Sequence, residues 1–163
     1  MSVFNICAMT QAIIFVNTKS FCELVQNVLR KNGYKSTIMF GEMSRQERDE
    51  MMQKFRNCEV NVIITTNMLA RGIDVPEIEI VINFDVPTFV VKGERHGDAE
   101  SYLHRIGRTG RFGSKGLAVS LYDRDQDKQA LDEIMKHYAM ESKLHKLEGV
   151  EHLKQLFDDL HAV

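Results

Sequence analysis

The sequence has few of the features that mark disulfide-bonded, metal-binding or membrane proteins. It contains only three cysteines, and no two of them are spaced as C-x-x-C. That count and spacing predict neither a disulfide framework nor a thiolate zinc site. No apolar run approaches the roughly 20 residues that cross a bilayer, and the first residues lack a signal-peptide layout. We therefore expect a protein of a reducing compartment, without a metal site and without membrane association.

An excess of positive charge is also missing. Lys and Arg total 21 against 23 Asp and Glu, which gives a formal net charge of -2. This balance excludes a generally basic surface for nucleic acid, so any polyanion site must be a local cluster. The 163 residues are 44% hydrophobic and 27% charged, as is ordinary for one globular domain over residues 1–163.

Short apolar runs alternate with amphipathic segments along the chain. Gly33 stands where a left-handed helix C-cap is expected, and Ser44 with Glu47 has the pattern of a capping box. The alternation predicts an α/β fold: a parallel sheet with helices on both faces, and ligand-binding loops at the carboxyl ends of the strands. The core is expected at about 11–140 and a last helix at about 149–161. Predicted strands are Ala12–Val16, Ser36–Phe40, Val60–Thr65, Ile78–Phe84 and Leu117–Tyr122, and a further helix is expected at Asp125–Tyr138.

The polar stretch Thr88–Asp98 has the length of a surface loop. It carries several charged side chains around Gly93 and Gly97, and its apolar content is confined to Phe89–Val91. We expect a mobile loop that has no catalytic role and whose shortening hardly affects folding.

The most informative segment is H-R-I-G-R-T-G-R at residues 104–111. Three arginines are spaced by three, and no acidic residue occurs between Ser101 and Tyr122. Arginines at i and i+3 share a helix face, so their guanidinium groups are expected to converge. Glycines allow close approach to a ligand, and guanidinium groups bind phosphate in a bidentate manner. The segment therefore predicts a site for a polyphosphate or a nucleic-acid backbone, the alternative being a solvated basic face.

A second segment, T-T-N-M-L-A-R-G-I-D at residues 65–74, directly follows a predicted strand. Its hydroxyl and amide groups could hold phosphate oxygens, and Asp74 could accept hydrogen bonds from a ribose. An ordinary strand-to-helix turn, capped by Asp74, explains the same pattern.

Together these two segments resemble motifs V and VI of the DEAD-box RNA helicases, and I-I-F-V-N-T at Ile13–Thr18 is similar to motif IV. Order and spacing match the second of the family's two RecA-like domains, from about Gln11 to the C-terminus. Gly41-Glu42-Met43, the N-F-D-V-P run and the long insertion before Tyr102 are similar to the mRNA-export members, which act at the nuclear pore. Two positions depart from the family pattern: Phe40 replaces a histidine, and Arg45 replaces the glutamine of Q-x-x-R.

No G-x-x-x-x-G-K-[ST] and no D-E-A-D occurs in the sequence. The resemblance therefore implies that the chain is the C-terminal half of a longer protein, whose N-terminal RecA-like domain holds Mg²⁺ with ATP. Alone, the chain is expected to bind ATP weakly and to hydrolyse none.

The resemblance also implies roles for individual residues. Gly72 and Asp74 would bind ATP, Arg108 and Arg111 would bind its γ-phosphate as the catalytic arginine finger and its neighbour, and His104 and Arg105 would contact the other domain. Gly41, Arg48 and Thr66 would hold the RNA sugar-phosphate backbone without regard to sequence. The expected protein is a monomeric ATP-dependent RNA helicase of the cytoplasm or nucleus, which a nuclear-pore activator with inositol hexakisphosphate could bind.

Two alternative functions remain at this level, together with one alternative for the C-terminal region. The chain could be an RNA- or partner-binding module without catalysis, or an unrelated phosphate-binding α/β domain. The region from Tyr122 to Val163 has ten acidic and six basic residues. We expect a solvated face there, and a docking surface is the alternative.

Overall fold

A computed structural model of the chain describes residues 10–66, 78–110 and 115–161. The strands are β1 Ala12–Phe15, β2 Ser36–Met39, β3 Val62–Thr65, β4 Ile80–Asn83, β5 Thr88–Val91, β6 Glu94–Gly97 and β7 Leu117–Ser120. The helices are α1 Lys19–Lys31, α2 Arg45–Arg56, α3 Ala99–Ile106, α4 Asp125–His137 and α5 Val150–His161. A short 3₁₀ turn lies at Glu141–Lys143.

Five strands form one parallel sheet in the order β2-β3-β1-β4-β7. Their last residues lie side by side, so the carboxyl ends make one edge of the sheet. This confirms the predicted α/β fold class. In sheet order, the row at that edge is Met39, Thr65, Phe15, Asn83 and Ser120.

Both faces of the sheet are buried, because successive strand residues point to opposite sides. In β1, Ile14 packs with the cluster that includes Leu29 of α1 and Leu153 of α5. Ile13 and Phe15 pack with the cluster that includes Phe55 of α2. The all-apolar sequence of β1 is thus the direct consequence of a sheet covered on two faces.

The helix ends follow the predicted local signals. Ser44 accepts a hydrogen bond from the Glu47 amide, and the Glu47 carboxylate accepts one from the Ser44 amide at 2.7 Å. Gly33 follows α1 with a φ of 81°. Both observations confirm the boundaries that the sequence predicted for these helices.

The prediction of a loop over Thr88–Asp98 is wrong. Strands β5 and β6 form an antiparallel hairpin, turned at Lys92 and Gly93, which both have positive φ. The hairpin packs on α4, where the Gly97 amide donates a hydrogen bond to the Glu133 carboxylate at 2.9 Å. Paired strands satisfy their own backbone groups, so a polar segment of this length can be ordered without deep burial.

No helix within residues 10–66, 78–110 and 115–161 is both long enough and apolar enough to cross a bilayer.

Candidate nucleotide and RNA interface

Helix α3 runs from the carboxyl edge of the sheet back toward its amino edge. At its start, the Asp98 amide donates a hydrogen bond to the Pro87 carbonyl, four residues beyond β4. Past its end, Thr109 pairs in parallel with Ile78, two residues before β4. The chain has to return in this way because β7 is parallel to β4. Residues 107–110 therefore do not lie in a carboxyl-edge loop, contrary to the general expectation for such folds.

Arg105 is the largest fully buried side chain of the described residues, with an exposure of 0%. One nitrogen donates to the Asp85 carbonyl at 2.7 Å, and the other donates to Asn17 Oδ1 at 3.0 Å. A longer contact of 3.4 Å reaches Asn83 Oδ1, and the guanidinium lies 5.3 Å from the Phe15 ring centre. The side chain thus reaches the carboxyl edge, since helical side chains lean toward the helix N-terminus.

Burial lowers the pKa of the Arg105 guanidinium to about 10, because desolvation disfavours its charged form. The carboxylates of Asp85 and Asp98 act in the opposite direction. The group therefore carries its charge at neutral pH. The compensating charges, Asp85 and Asp98, lie outside the carboxylate-free segment from Ser101 to Tyr122.

A second polar contact joins α3 to the same edge. The Tyr102 hydroxyl lies 3.2 Å from Ser120 Oγ, which also accepts a hydrogen bond from Asn83 Nδ2 at 3.2 Å. Burial raises the pKa of Tyr102. Because Tyr102 and Arg105 are three positions apart, one face of the helix makes both contacts.

The surroundings of the Arg108 side chain differ from those of Arg105. It is half-buried, and its Nε donates to the His104 carbonyl at 3.3 Å, next to the Gly107 cap of α3. The predicted convergence of the arginines on one point is therefore wrong for Arg105, whose guanidinium turns into the sheet edge. The interdomain contacts predicted for His104 and Arg105 remain predictions. Arg111, Gly72 and Asp74 lie outside the described residues.

Two of the three residues predicted to hold RNA lie at one corner of the carboxyl edge. Gly41 and Thr66 follow the neighbouring strands β2 and β3, and Thr65 Oγ1 ties these strand ends by donating to the Met39 carbonyl at 2.9 Å. Arg48 lies in the first turn of α2, and its Nε is buried without a hydrogen-bond partner among the described residues. A buried donor of this kind favours an oxygen ligand.

An ion pair flanks this corner. Lys19 Nζ of α1 lies 2.6 Å from the Glu42 carboxylate and 5.4 Å from the centre of the Phe40 ring. The hydrogen bond from Lys19 is the main cause that lowers the pKa of Glu42. Phe40, the residue that departs from the family pattern, is therefore in contact with a cation beside the candidate RNA site.

Sequence reasoning missed Asn17, Asn83 and Asp85 as partners of Arg105. Each is a polar residue at or just beyond the end of a buried strand, and that position was the available signal. The described ranges 10–66, 78–110 and 115–161 contain no group of three side chains arranged to hold a metal ion.

Comparison with known proteins identifies the family of this domain. Residues 4–113 match the family described as "Helicase conserved C-terminal domain". The solved C-terminal domain of the DEAD-box protein Dbp5 is 34% identical, with a TM-score of 0.76 over 92% of this chain and 82% of that one. The chain therefore belongs to the helicase C-terminal domain family, in its DEAD-box branch, and its sheet is the RecA-like fold of that domain.

The chain is also similar to longer proteins of this family. Human ATP-dependent RNA helicase DDX19B is 39% identical over 137 residues, which are 84% of this chain and 28% of the relative. S. cerevisiae Dbp5 bound to RNA and ADP BeF3 is 33% identical, with a TM-score of 0.82 over 97% of this chain and 40% of that one. Other structures of the yeast protein contain Gle1 and IP6, or Nup159, Gle1, IP6 and ADP. The chain thus spans less than a third of the length of the curated relatives it matches.

Proposed function

We propose that the chain is the C-terminal half of an ATP-dependent DEAD-box RNA helicase, in which it supplies the arginine finger and part of the RNA-backbone site. The observation that carries the proposal is the joint occurrence of two surfaces on one RecA-like domain. One is the corner where Gly41 and Thr66 follow neighbouring strands, to which we assign Arg48 of α2 as well. The other is the segment after α3 that presents Arg108 and leads to Arg111.

The RNA corner has the chemistry of a backbone site. Its donors are an arginine, a hydroxyl and a glycine amide, groups that suit phosphate and sugar oxygens and carry little information about the bases. Arg48 Nε has no acceptor among the described residues, and the proposal assigns a phosphate oxygen to this guanidinium. Binding at this corner would therefore be independent of sequence.

We assign the nucleotide-binding surface from the two segments that resemble motifs V and VI. Gly72 and Asp74 would contact the nucleotide, and Arg108 and Arg111 would neutralise charge that develops on the γ-phosphate during transfer. Mg²⁺ with ATP would be held by the other RecA-like domain, as the resemblance to the DEAD-box family implies. The residues of this half would act by orienting the phosphate and stabilising its charge.

Coupling between the surfaces gives a mechanism for remodelling RNA. The RNA corner lies at the carboxyl edge of the sheet, whereas Thr109 pairs beside the start of β4 at the amino edge. A second RecA-like domain that closes on ATP would engage both surfaces at once. Closure would bend the bound strand so that it leaves its duplex, and product release would reopen the clamp.

The resemblance to Dbp5 supports a narrower role in mRNA export. Structures of the yeast protein contain the partners Gle1, IP6 and Nup159. An activator that binds together with inositol hexakisphosphate is the partner we propose for this chain, and the nuclear pore is the proposed location. A monomer is proposed as the working form.

The test uses a two-domain protein, in which this chain is joined to the P-loop-bearing RecA-like domain that the proposal requires. RNA-stimulated phosphate release and strand displacement are measured for this protein and for the chain alone. We expect turnover only in the two-domain protein. RNA binding without any RNA-dependent turnover by a correctly folded two-domain protein would instead support the binding-module alternative.

A further inference from the structure

We propose that Arg105 is a positioning residue: its guanidinium ties helix α3 to the carboxyl edge of the sheet and thereby sets the position of Arg108, which follows the last turn of that helix. This inference rests on the proposed function, because Arg108 is the group whose placement it explains. It replaces the expectation of an interdomain contact with a role inside this domain.

Arg105 lies entirely inside this domain. A guanidinium with 0% exposure offers no surface to a second domain. Its hydrogen bonds to Asp85 and Asn17, with the longer contact to Asn83, join the ends of β1 and β4. A buried charge is kept in a core only when such partners compensate its desolvation.

The planar shape of the Arg105 guanidinium lets it bind two acceptors at once. Two nitrogens reach acceptors that follow two different strands, at 2.7 Å and 3.0 Å. A planar fork makes both contacts at fixed angles, whereas a lysine ammonium is a single point charge on a flexible stem. An arginine at this position therefore sets the orientation of the helix as well as its distance from the sheet.

Hydrogen bonds attach Arg108 to the same turn of α3 that contains Arg105. Arg108 Nε donates to the His104 carbonyl, and the Gly107 amide donates to the Leu103 carbonyl at 2.9 Å, so residues 107 and 108 are attached to the last turn of α3. Arg105 lies in that turn. A shift of the turn would thus carry Arg108 with it, and catalytic groups tolerate only small displacements.

The first arm of the test uses this chain alone. In Arg105→Lys, we expect the Nε–H NMR resonance of Arg108 to shift. The amide hydrogens of the last turn of α3 should also exchange with solvent about tenfold faster or more, because the turn has lost the guanidinium contacts that hold it to the sheet. Arg95→Lys, a matched change at an arginine outside this network, should do neither. An Arg108 resonance that is unchanged in folded Arg105→Lys would overturn the proposal.

The second arm uses the two-domain protein. Arg105→Lys should lower kcat about tenfold or more and leave the KM for ATP within about twofold, as expected when the transition state alone is affected. A raised KM at unchanged kcat would instead identify Arg105 as a nucleotide contact and overturn positioning. If the wild-type two-domain protein has no turnover, the proposed function fails, while the first arm still decides whether Arg105 positions Arg108.

A milder variant covers the case in which Arg105→Lys does not fold. Asn17 is exposed, so Asn17→Ala removes one acceptor of the guanidinium with little risk to the core. It should shift the Arg108 resonance in this chain, where no RNA or second domain is present. The absence of any shift in folded Asn17→Ala would then contradict the proposal.

Discussion

Arg95 of the hairpin donates a hydrogen bond to the Asp127 carboxylate of α4 at 3.0 Å. The arginine also donates to Thr88 Oγ1 at 2.8 Å, so the same guanidinium joins the two hairpin strands to the helix. Asp127 is nearly buried and lies in the first turn of α4, where a negative charge is favoured. The hairpin is thus fastened to the domain by a specific polar contact.

Close packing of the hairpin predicts that Gly97→Ala destabilises the domain. A Cβ at this position would clash with the Ala130 carbonyl and lie 2.7 Å from Ile134 Cγ1. We expect a loss of about 1–3 kcal/mol in the free energy of unfolding, measured by urea denaturation. Gly93→Asn is the control, since that site is open and asparagine tolerates a positive φ. Equal stability of the two variants would mean that the hairpin does not pack on α4.

The capping box of α2 predicts a pH-dependent contribution to stability. Hydrogen bonds from Ser44 lower the pKa of the Glu47 carboxyl, so its protonation is harder in the folded state. The stabilisation is therefore present at neutral pH and is lost as the pH falls through the folded-state pKa. Ser44→Ala should lower the free energy of unfolding at pH 7 and lower it by less in acid, as measured by urea denaturation at both pH values. Gln46→Ala, a change in the same turn, should show no such dependence.

The RNA corner predicts a salt-dependent loss on replacing Arg48. Arg48→Ala should weaken RNA binding by the chain and reduce the log–log salt slope by about 0.7, the value for one phosphate contact on a single strand. Fluorescence anisotropy at several salt concentrations provides the measurement. Arg56→Ala removes the same charge from the last turn of the same helix and should leave the slope unchanged. Equal slopes for Arg48→Ala and wild type would remove Arg48 from the proposed site.

Features with local causes could be predicted from the sequence. The capping box, the glycine after α1 and the apolar strands all depend on residues close together in the chain. The partners of Arg105 could not be derived in this way, because Asn17 lies 88 positions away. The i, i+3 spacing of the arginines predicted that their guanidinium groups converge. Arg105 is buried instead, and its burial depends on which helix face the sheet covers, which the spacing alone does not give.

The hairpin was missed for a related reason. Its polar composition is typical of a loop, and its order comes from strand pairing and from contacts with α4. The aromatic and β-branched run at Phe89–Val91, followed by Gly93, was the available signal for a strand and a tight turn. When a site is assembled from segments that are distant in the chain, its residues can therefore be grouped only once the topology of the fold is known.

The most direct test of the account is the RNA-stimulated ATP turnover of the two-domain protein with Arg111→Ala, measured in parallel with its RNA affinity. A finger acts on charge that develops in the transition state, so turnover should fall by about 10³–10⁵ while RNA affinity changes little. Arg111→Lys should also be strongly impaired, because it keeps the charge and loses the planar fork. Turnover within a few-fold of wild type, or a loss of RNA affinity in its place, would contradict the account.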